Sequence, residues 1–309
     1  MSAPAAFALV DWGTTSFRAW ACTSDGEVLA ERRAPEGLIG VTDGDFAGVL
    51  DRHLGAMGLS PDTPAVLCGM VGSRTGWVEA AYLTVPTALD DLANRATPVP
   101  NAGRPIHILP GLAQRGDAPD VMRGEETQLL GVVAEGFDTG LVCMPGTHSK
   151  WVRLDGRTVS GFATFMTGEL FQLLRTGSIL RQAVETDTRP EPSDAGFSEG
   201  FARGFLRAGE ATNALFQLRA GWLLEGAAPA LQSARLSGLL IGLEFAGALS
   251  RFGRPDRVAL LASGPIADLY ASAFALAGLT LDRRLDADGC VRHGLRAAAH
   301  LLHPDRRSA

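Results

Sequence analysis

A chain of 309 residues with 46% apolar and 20% charged side chains has the makeup of a folded protein long enough for two domains with cores of their own. Its net charge of −6, with no basic run or stripe, argues against binding along a nucleic acid backbone, and it contains no uncharged apolar stretch of the roughly 18 residues a membrane span needs. Cys22, Cys68, Cys143 and Cys290 are scattered, with neither a C-x-x-C pair nor a metal spacing, and read as buried free thiols.

The residues before Asp11 are apolar and short and carry no basic leader, which predicts a first core strand rather than a signal peptide and makes the cytoplasm the expected compartment. Phe7 to Val10 has strand length, Asp11 to Ser16 forms a glycine-containing, hydroxyl-rich turn, and Phe17 to Cys22 returns. A turn at Ser24 to Gly26 leads to a third strand, Val28 to Arg32. A carboxylate closing a buried strand can hold hydrated Mg²⁺, while the amides and hydroxyls of Gly13, Thr14 and Thr15 can wrap phosphate oxygens. An ordinary hairpin with an Asx-type turn is the plain alternative. Phe46, Val49, Leu50, Leu54 and Met57 fall on one face of a helix over Asp45 to Met57, and Ala65 to Met70 is a short strand. Strand after helix suggests the α/β class. The polar loop that follows, through Ser73, Arg74 and Trp77, lies at a strand's carboxyl end, where open α/β sheets bind ligands. After a strand at Ile106 to Leu109, Gly124, Glu125 and Glu126 open a helix, where acidic residues also complement the dipole.

The second half repeats the opening. Leu141 to Met144 is strand-like, Pro145, Gly146, Thr147, His148, Ser149 and Lys150 make the turn, and the chain returns through Trp151 to Leu154 and a further strand, Thr158 to Phe165. Two such hairpins suggest two half-sites for one polyphosphate. Lys150 is the only lysine among 28 basic residues, which suits a position where a point charge meets a single phosphate or carboxylate oxygen and a planar guanidinium does not fit. Thr167, Gly168 and Glu169 read as a helix start, plainly explained as a capping box. Leu174 to Pro192 is irregular and polar, a surface excursion. Helices are predicted over Thr167 to Leu174, Ala195 to Ala208, Ala211 to Leu224 and Leu231 to Leu249. After a strand at Val258 to Ala262, Ser263, Gly264 and Pro265 turn into another helix, and glycine there lets backbone approach a flat ligand such as adenine. A terminal helix covers about Val291 to Leu302. Domains are expected over 1–128 and 129–309. Neither a P-loop nor a G-x-G-x-x-G string is present, which excludes P-loop kinases and Rossmann dehydrogenases.

Hairpin, acidic helix, hairpin and adenosine turn come in the order of the sugar kinase, actin and heat-shock ATPase superfamily. At the level of strings, Asp11-Trp12-Gly13-Thr14-Thr15, Gly69-Met70-Val71-Gly72-Ser73, Met122-Arg123-Gly124-Glu125-Glu126, Met144-Pro145-Gly146-Thr147-His148 and Met166-Thr167-Gly168-Glu169-Leu170 resemble the 2-dehydro-3-deoxygalactonokinase family nearly end to end. The resemblance implies an α/β fold of two ribonuclease H-like, actin-like ATPase domains with an active-site cleft between them. It implies MgATP-dependent phosphorylation of 2-dehydro-3-deoxy-D-galactonate at its 6-hydroxyl, a step of galactonate catabolism.

For that chemistry Asp11 is the expected Mg²⁺ residue, with Gly13, Thr14, Thr15, Gly146 and Thr147 on phosphates and Ser263 and Gly264 at the adenosine. Glu125 falls at the catalytic aspartate's place in a string resembling glycerol kinase-like enzymes and is the expected base; Lys150 and His148 are the other expected catalytic residues, His148 either as a donor to a transferred phosphoryl oxygen or as an orienting residue. The acid's carboxylate needs a cation, for which Arg18, Arg74, Arg123 and Lys150 are candidates, while Ser73, Trp77, Thr167 and Glu169 complete the expected substrate contacts. The partners expected are ATP and a small sugar acid, without nucleic acid or membrane, and a homodimer stays open. A phosphohydrolase on the same scaffold and a non-catalytic sugar-acid sensor are the competing readings.

Overall fold

The computed structural model describes residues 5–185 and 190–306. Its elements run β1 (Phe7–Trp12), β2 (Phe17–Cys22), β3 (Val28–Ala34), α1 (Phe46–Ala56), β4 (Ala65–Cys68), β5 (Tyr82–Thr84), β6 (Thr87–Ala88), α2 (Asp91–Asn94), β7 (Thr97–Pro98), β8 (Ile106–Ile108), β9 (Gly111–Gln114), β10 (Asp120–Met122) and α3 (Glu125–Ala134). They continue with β11 (Gly140–Met144), β12 (Ser149–Asp155), β13 (Thr158–Phe165), α4 (Thr167–Gly177), α5 (Ala195–Leu206), α6 (Ala211–Glu225), α7 (Pro229–Phe252), β14 (Val258–Leu261), α8 (Pro265–Leu276), β15 (Arg283–Leu285) and α9 (Ala287–Leu302). Backbone packing divides the chain into two units. The first holds residues up to Asp138, Asp155–Gly161 and everything from Ala287 on, and the second holds Thr139–Leu154 and Phe162–Asp286.

In the first unit the sheet order is β3-β2-β1-β4-β8-β7. β1 pairs antiparallel with β2, and β2 with β3, whereas β4 lies parallel to β1 and β8 parallel to β4. Central strands covered on both faces must be apolar almost throughout, and β1 and β4 are: only Asp11 interrupts the buried run of β1. Edge strand β3 instead keeps Glu31 and Arg33 exposed. Asp45 caps α1 by accepting from the Gly48 amide at 2.9 Å. Phe46, Leu50 and Leu54 of that helix join Val10, Trp12 and Phe17 in the core.

In the second unit β15-β14-β11-β12-β13 are neighbours in that order, with β12 antiparallel to β11 and with β14 and β15 parallel in sequence beside it. Stripped of extra edge strands, β3-β2-β1-β4-β8 and β13-β12-β11-β14-β15 are the same order used twice. That is the ribonuclease H-like sheet duplicated, the actin-like ATPase architecture. The second core gathers Trp151, Phe245, Phe274 and Tyr270 under the sheet, with Trp151 edge-on to Phe245 at 5.0 Å.

The long elements lie where periodicity puts them. The misses are short: β5, β6, β7, β9, β10 and β15 are two to four residues each, too brief to show a pattern, and most lie at sheet edges or in the small β10-β9-β5 sheet. In the tract from Leu174 to Pro192, α4 continues to Gly177 and a 3₁₀ turn covers Ile179–Gln182; residues 186–189 lie outside the described residues. A boundary at residue 128 cuts α3, which packs as one piece with the first unit, and α9 returns to that unit rather than staying with the second. The reason is a close helix crossing: a Cβ on Gly131 would sit 1.9 Å from the Cys290 carbonyl oxygen, and one on Gly294 would sit 1.9 Å from that of Thr127. Among the described residues no helix is long and apolar enough to cross a membrane.

Candidate active site

In the first unit, functional candidates collect where β1, β4 and α3 meet. Asp11 stands opposite Arg18 in the β1–β2 ladder and opposite Cys68 of β4. The Arg18 guanidinium donates to Asp11 and, with its other amino group, to Asp288 in the first turn of α9; Arg33 reaches Asp288 at 2.8 Å from the next strand. Burial raises the Asp11 pKa, Arg18 pulls it down, and the neighbouring charges of Glu125 and Asp288 push it up. The hairpin turn closes by the Gly13 amide on the Ser16 carbonyl at 2.9 Å and leaves Thr14, Thr15 and Ser16 exposed. Against its back lies Gly37, where a Cβ would come within 2.4 Å of the Thr14 carbonyl and the Thr15 amide nitrogen. Trp12 donates its indole N–H to the Glu36 carbonyl at 3.0 Å, and His53, stacked on Phe17, holds the Glu36 carboxylate at 2.6 Å.

The two glutamates at the head of α3 differ. Glu126 is fully buried, accepts from the Gly124 amide at 2.8 and 2.9 Å, and has its pKa pushed up to about 8, by burial first and then by the Glu125 charge. Glu125 remains partly exposed, accepts from the Arg123 amide at 3.0 Å, and lies within electrostatic reach of Asp11. Arg123 stacks over the Tyr82 ring at 4.2 Å and donates Nη2 to the Ala80 carbonyl at 2.8 Å, while its buried Nη1 has no hydrogen-bond partner. That Nη1 packs against Gly72 of the Gly69–Trp77 loop. In the loop Ser73 is buried, Arg74 is exposed, and Trp77 stacks on Phe46 of the core at 6.1 Å. Asp11, Glu125 and Arg123 are thus drawn together with the loop, and Arg18 is held by two carboxylates.

In the second unit, Gly146, Thr147 and His148 form the exposed tip of the β11–β12 hairpin. The start of α4 sits on it: the Glu169 amide donates to the Thr147 carbonyl at 3.0 Å, and the Glu169 carboxylate accepts from His148 Nε2 at 2.5 Å. Lys150 is 4% exposed, and its ammonium donates to the His148 carbonyl at 3.2 Å, so the lone lysine braces the turn. Thr167 gives its hydroxyl proton to Glu244 of α7. Ser263 donates to Asp286 at 2.5 Å, and Gly264, at φ +67, caps α8. A mostly apolar cavity of about 250 Å³ opens beside the hairpin, between Gly146, Thr167 and Gly168 on one side and Pro265, Ile266 and Tyr270 on the other. It lies one or two residues past the expected adenosine turn.

Among the described residues no three His, Cys, Asp or Glu side chains cluster, so a cation held here would need a ligand's own oxygens beside a single carboxylate such as that of Asp11. Asp11 suits that duty: its Oδ2 is held by Arg18, while Oδ1 faces Gly69 at the mouth of the parallel strands. Sequence reasoning missed three residues that shape these sites. Asp288 lay outside the predicted terminal helix, and Gly37 lay outside any motif. Glu244 carried a usable signal, as the only charge between Arg235 and Arg251 in an otherwise apolar helix.

A family model described as 2-keto-3-deoxy-galactonokinase matches residues 11–298. The protein named Probable 2-dehydro-3-deoxygalactonokinase DgoK1 of Rhizobium meliloti (strain 1021) is 52% identical over 301 residues, which cover 96% of this chain and 98% of the relative. The 2-dehydro-3-deoxygalactonokinase of Escherichia coli (strain K12) is 36% identical over 300 residues, covering 96% and 99%. A crystal structure from Sinorhizobium meliloti, described as a 2-dehydro-3-deoxygalactonokinase protein, superimposes with a TM-score of 0.93 at 50% identity and covers 96% of this chain and 99% of its own.

Proposed function

The chain belongs to the 2-keto-3-deoxy-galactonokinase family, and from that membership and the site geometry we infer that it transfers the γ-phosphoryl group of ATP to the 6-hydroxyl of 2-dehydro-3-deoxy-D-galactonate. The observation that carries the reading is the approach of Asp11 and Glu125 at the mouth of the first unit's parallel strands, one carboxylate beside the hydroxyl-rich turn and the other at the head of α3.

Glu125 is the proposed base. It orients the alcohol and takes its proton as the oxygen bonds to phosphorus and the bond from phosphorus to the β-phosphate's bridging oxygen breaks, leaving ADP. The proton moves late in a loose transition state, so the carboxylate chiefly orients the alcohol. Asp11 would hold Mg²⁺ through water, and the cation, when bound, neutralises charge on the phosphate oxygens. Amides and hydroxyls of Gly13, Thr14 and Thr15 in the first unit, and of Gly146 and Thr147 in the second, are the proposed phosphate donors.

His148 is proposed as an orienting residue at the hairpin tip, its ring fixed by the hydrogen bond from Nε2 to the Glu169 carboxylate. Of the candidate cations, Arg123 retains a donor without an acceptor and Arg74 is exposed, so these two are proposed for the acid's carboxylate, while Arg18 serves Asp11. The 250 Å³ cavity is smaller than the roughly 300–1,000 Å³ of whole-ligand pockets and suits one ring system, the adenine.

The test is an assay coupled to ADP release with MgATP and a panel of sugar acids. The reading requires the highest kcat/KM on 2-dehydro-3-deoxy-D-galactonate. ADP formation at the same rate without any acid would make the protein a phosphohydrolase instead.

A further inference from the structure

Among the described residues Glu244 is the one fully buried carboxylate of the second unit, and it takes no part in the chemistry above. It sits in the middle of α7 and accepts hydrogen bonds from three other elements: the Trp151 indole of β12 at 2.9 Å, the Tyr270 hydroxyl of α8 at 2.7 Å, and the Thr167 hydroxyl at the first turn of α4. Tyr270 in turn meets the Ser149 hydroxyl at 3.1 Å, and Ser149 Oγ accepts from the Gly146 amide at 3.4 Å. A carboxylate removed from water is destabilising unless its oxygens are satisfied, and here donors from every side satisfy them. The donors are the walls of one place: Thr167, Tyr270 and Gly146 all line the apolar cavity, and Trp151 and Ser149 form the returning arm of the hairpin that bends over it.

We propose that Glu244 is a positioning residue for the nucleotide, fixing the second hairpin, the head of α4 and the Tyr270 wall of the cavity as one preformed surface. This rests on the kinase reading and adds to it which residue fixes the nucleotide half of the site. Glu244 holds that surface from beneath, through Thr167, Tyr270 and Ser149, and does not touch the ligand. The sugar-acid candidates Arg74, Arg123 and Trp77 belong to the first unit and do not bond to this network, and the hydroxyl of Thr167, also expected at the substrate, is taken up by Glu244, so the effect is expected on ATP.

The experiment compares wild type with Glu244→Gln, Thr167→Val and Tyr270→Phe. Glutamine keeps the volume, and its amide can still donate to the two hydroxyls, so folding is retained while the direction of those bonds is reversed. A rise of about tenfold in KM for ATP, with KM for the sugar acid within twofold of wild type, is the expected result for Glu244→Gln. Each hydroxyl variant should give a smaller rise of the same kind, and the rises should combine less than additively with Glu244→Gln, as for groups in one network. ATP affinity measured directly by calorimetry without sugar acid should fall in parallel. A variant that loses thermal stability but keeps both KM values, or raises both alike, overturns the proposal. Failure of the wild type to turn over any sugar acid while ATP binding still weakens in Glu244→Gln would sink the kinase reading and leave the positioning role standing.

Discussion

Arg18 and Asp11 are directly opposed across the β1–β2 ladder, and the same guanidinium that pairs with Asp11 also holds Asp288. Burial and two neighbouring carboxylates raise the Asp11 pKa, and Arg18 is the group that works against them. Replacing Arg18 by Met should therefore raise the Asp11 pKa further and move the acidic limb of the pH–kcat profile to higher pH, because the cation-holding role proposed for Asp11 requires its ionised form. KM for the sugar acid should change less than threefold. An unshifted limb with a large rise in that KM would return Arg18 to the substrate.

Glu125→Gln should lower kcat by at least about a hundredfold, the scale of lost general-base work, with ATP binding by calorimetry unchanged. If Glu125 keeps near-normal turnover when amidated, the proton goes elsewhere.

Glu126 gives a stability prediction with a definite sign. Its folded pKa of about 8 exceeds the ordinary 4.5, so between those values the native state holds a proton that the unfolded chain has released. Wild-type stability from this group is full below about pH 4.5 and falls as pH rises toward about 8. Glu126→Gln removes that slope. The variant should thus gain on wild type in urea unfolding as pH goes from 5 to 8. His53, His107 and His303, whose pKa values are lowered chiefly by burial, contribute an opposite slope below the ordinary histidine value of 6.5, but equally to both proteins. A constant difference across the range would show that Glu126 is not protonated in the native state.

Gly37→Ala tests the support behind the first hairpin. The added methyl would meet Thr14 and Thr15 backbone at 2.4 Å, a contact only a shift of one loop can relieve. A loss of about 1–3 kcal/mol in stability, the usual range for overpacking, should come with a several-fold rise in KM for ATP. Unchanged values for both would mean that the hairpin tolerates displacement.

Removing divalent cations with a chelator should abolish turnover, and added Mg²⁺ should restore it. Asp11→Asn should cost at least about a hundredfold in kcat, consistent with the several kcal/mol a positioned cation supplies. Chelator-resistant turnover would dissociate Asp11 from any metal.

The fold was legible in the sequence wherever an element was long. The strand runs of the two hairpins and the apolar face of α1 show their period directly, and the duplicated fold was what the family resemblance implied. The short edge strands were not legible, since pairing by two to four residues is decided by neighbours rather than by pattern. At the site, the turn singled out Asp11 and a resembling string singled out Glu125, and the structure places the two within electrostatic reach of each other. Asp288 could not, for its value comes from an arginine 270 positions earlier in the chain. Thr167 and Lys150 were read as ligand-facing, and the structure gives each an internal duty, with Glu244 and with the His148 carbonyl. A sequence shows which groups can donate. It does not show which acceptor is nearer.

Because α9 completes the first unit, the half of the protein that is synthesised first is finished last. As the chain leaves the ribosome, β1 and β2 can form their ladder early, yet Arg18 waits for Asp288 and the small-residue face of α3 waits for Gly294 until the whole second unit has been made. Chains that stop short of residue 287 would leave that flank of α3 without its cover, an exposed surface of the kind that makes incomplete chains prone to misassembly.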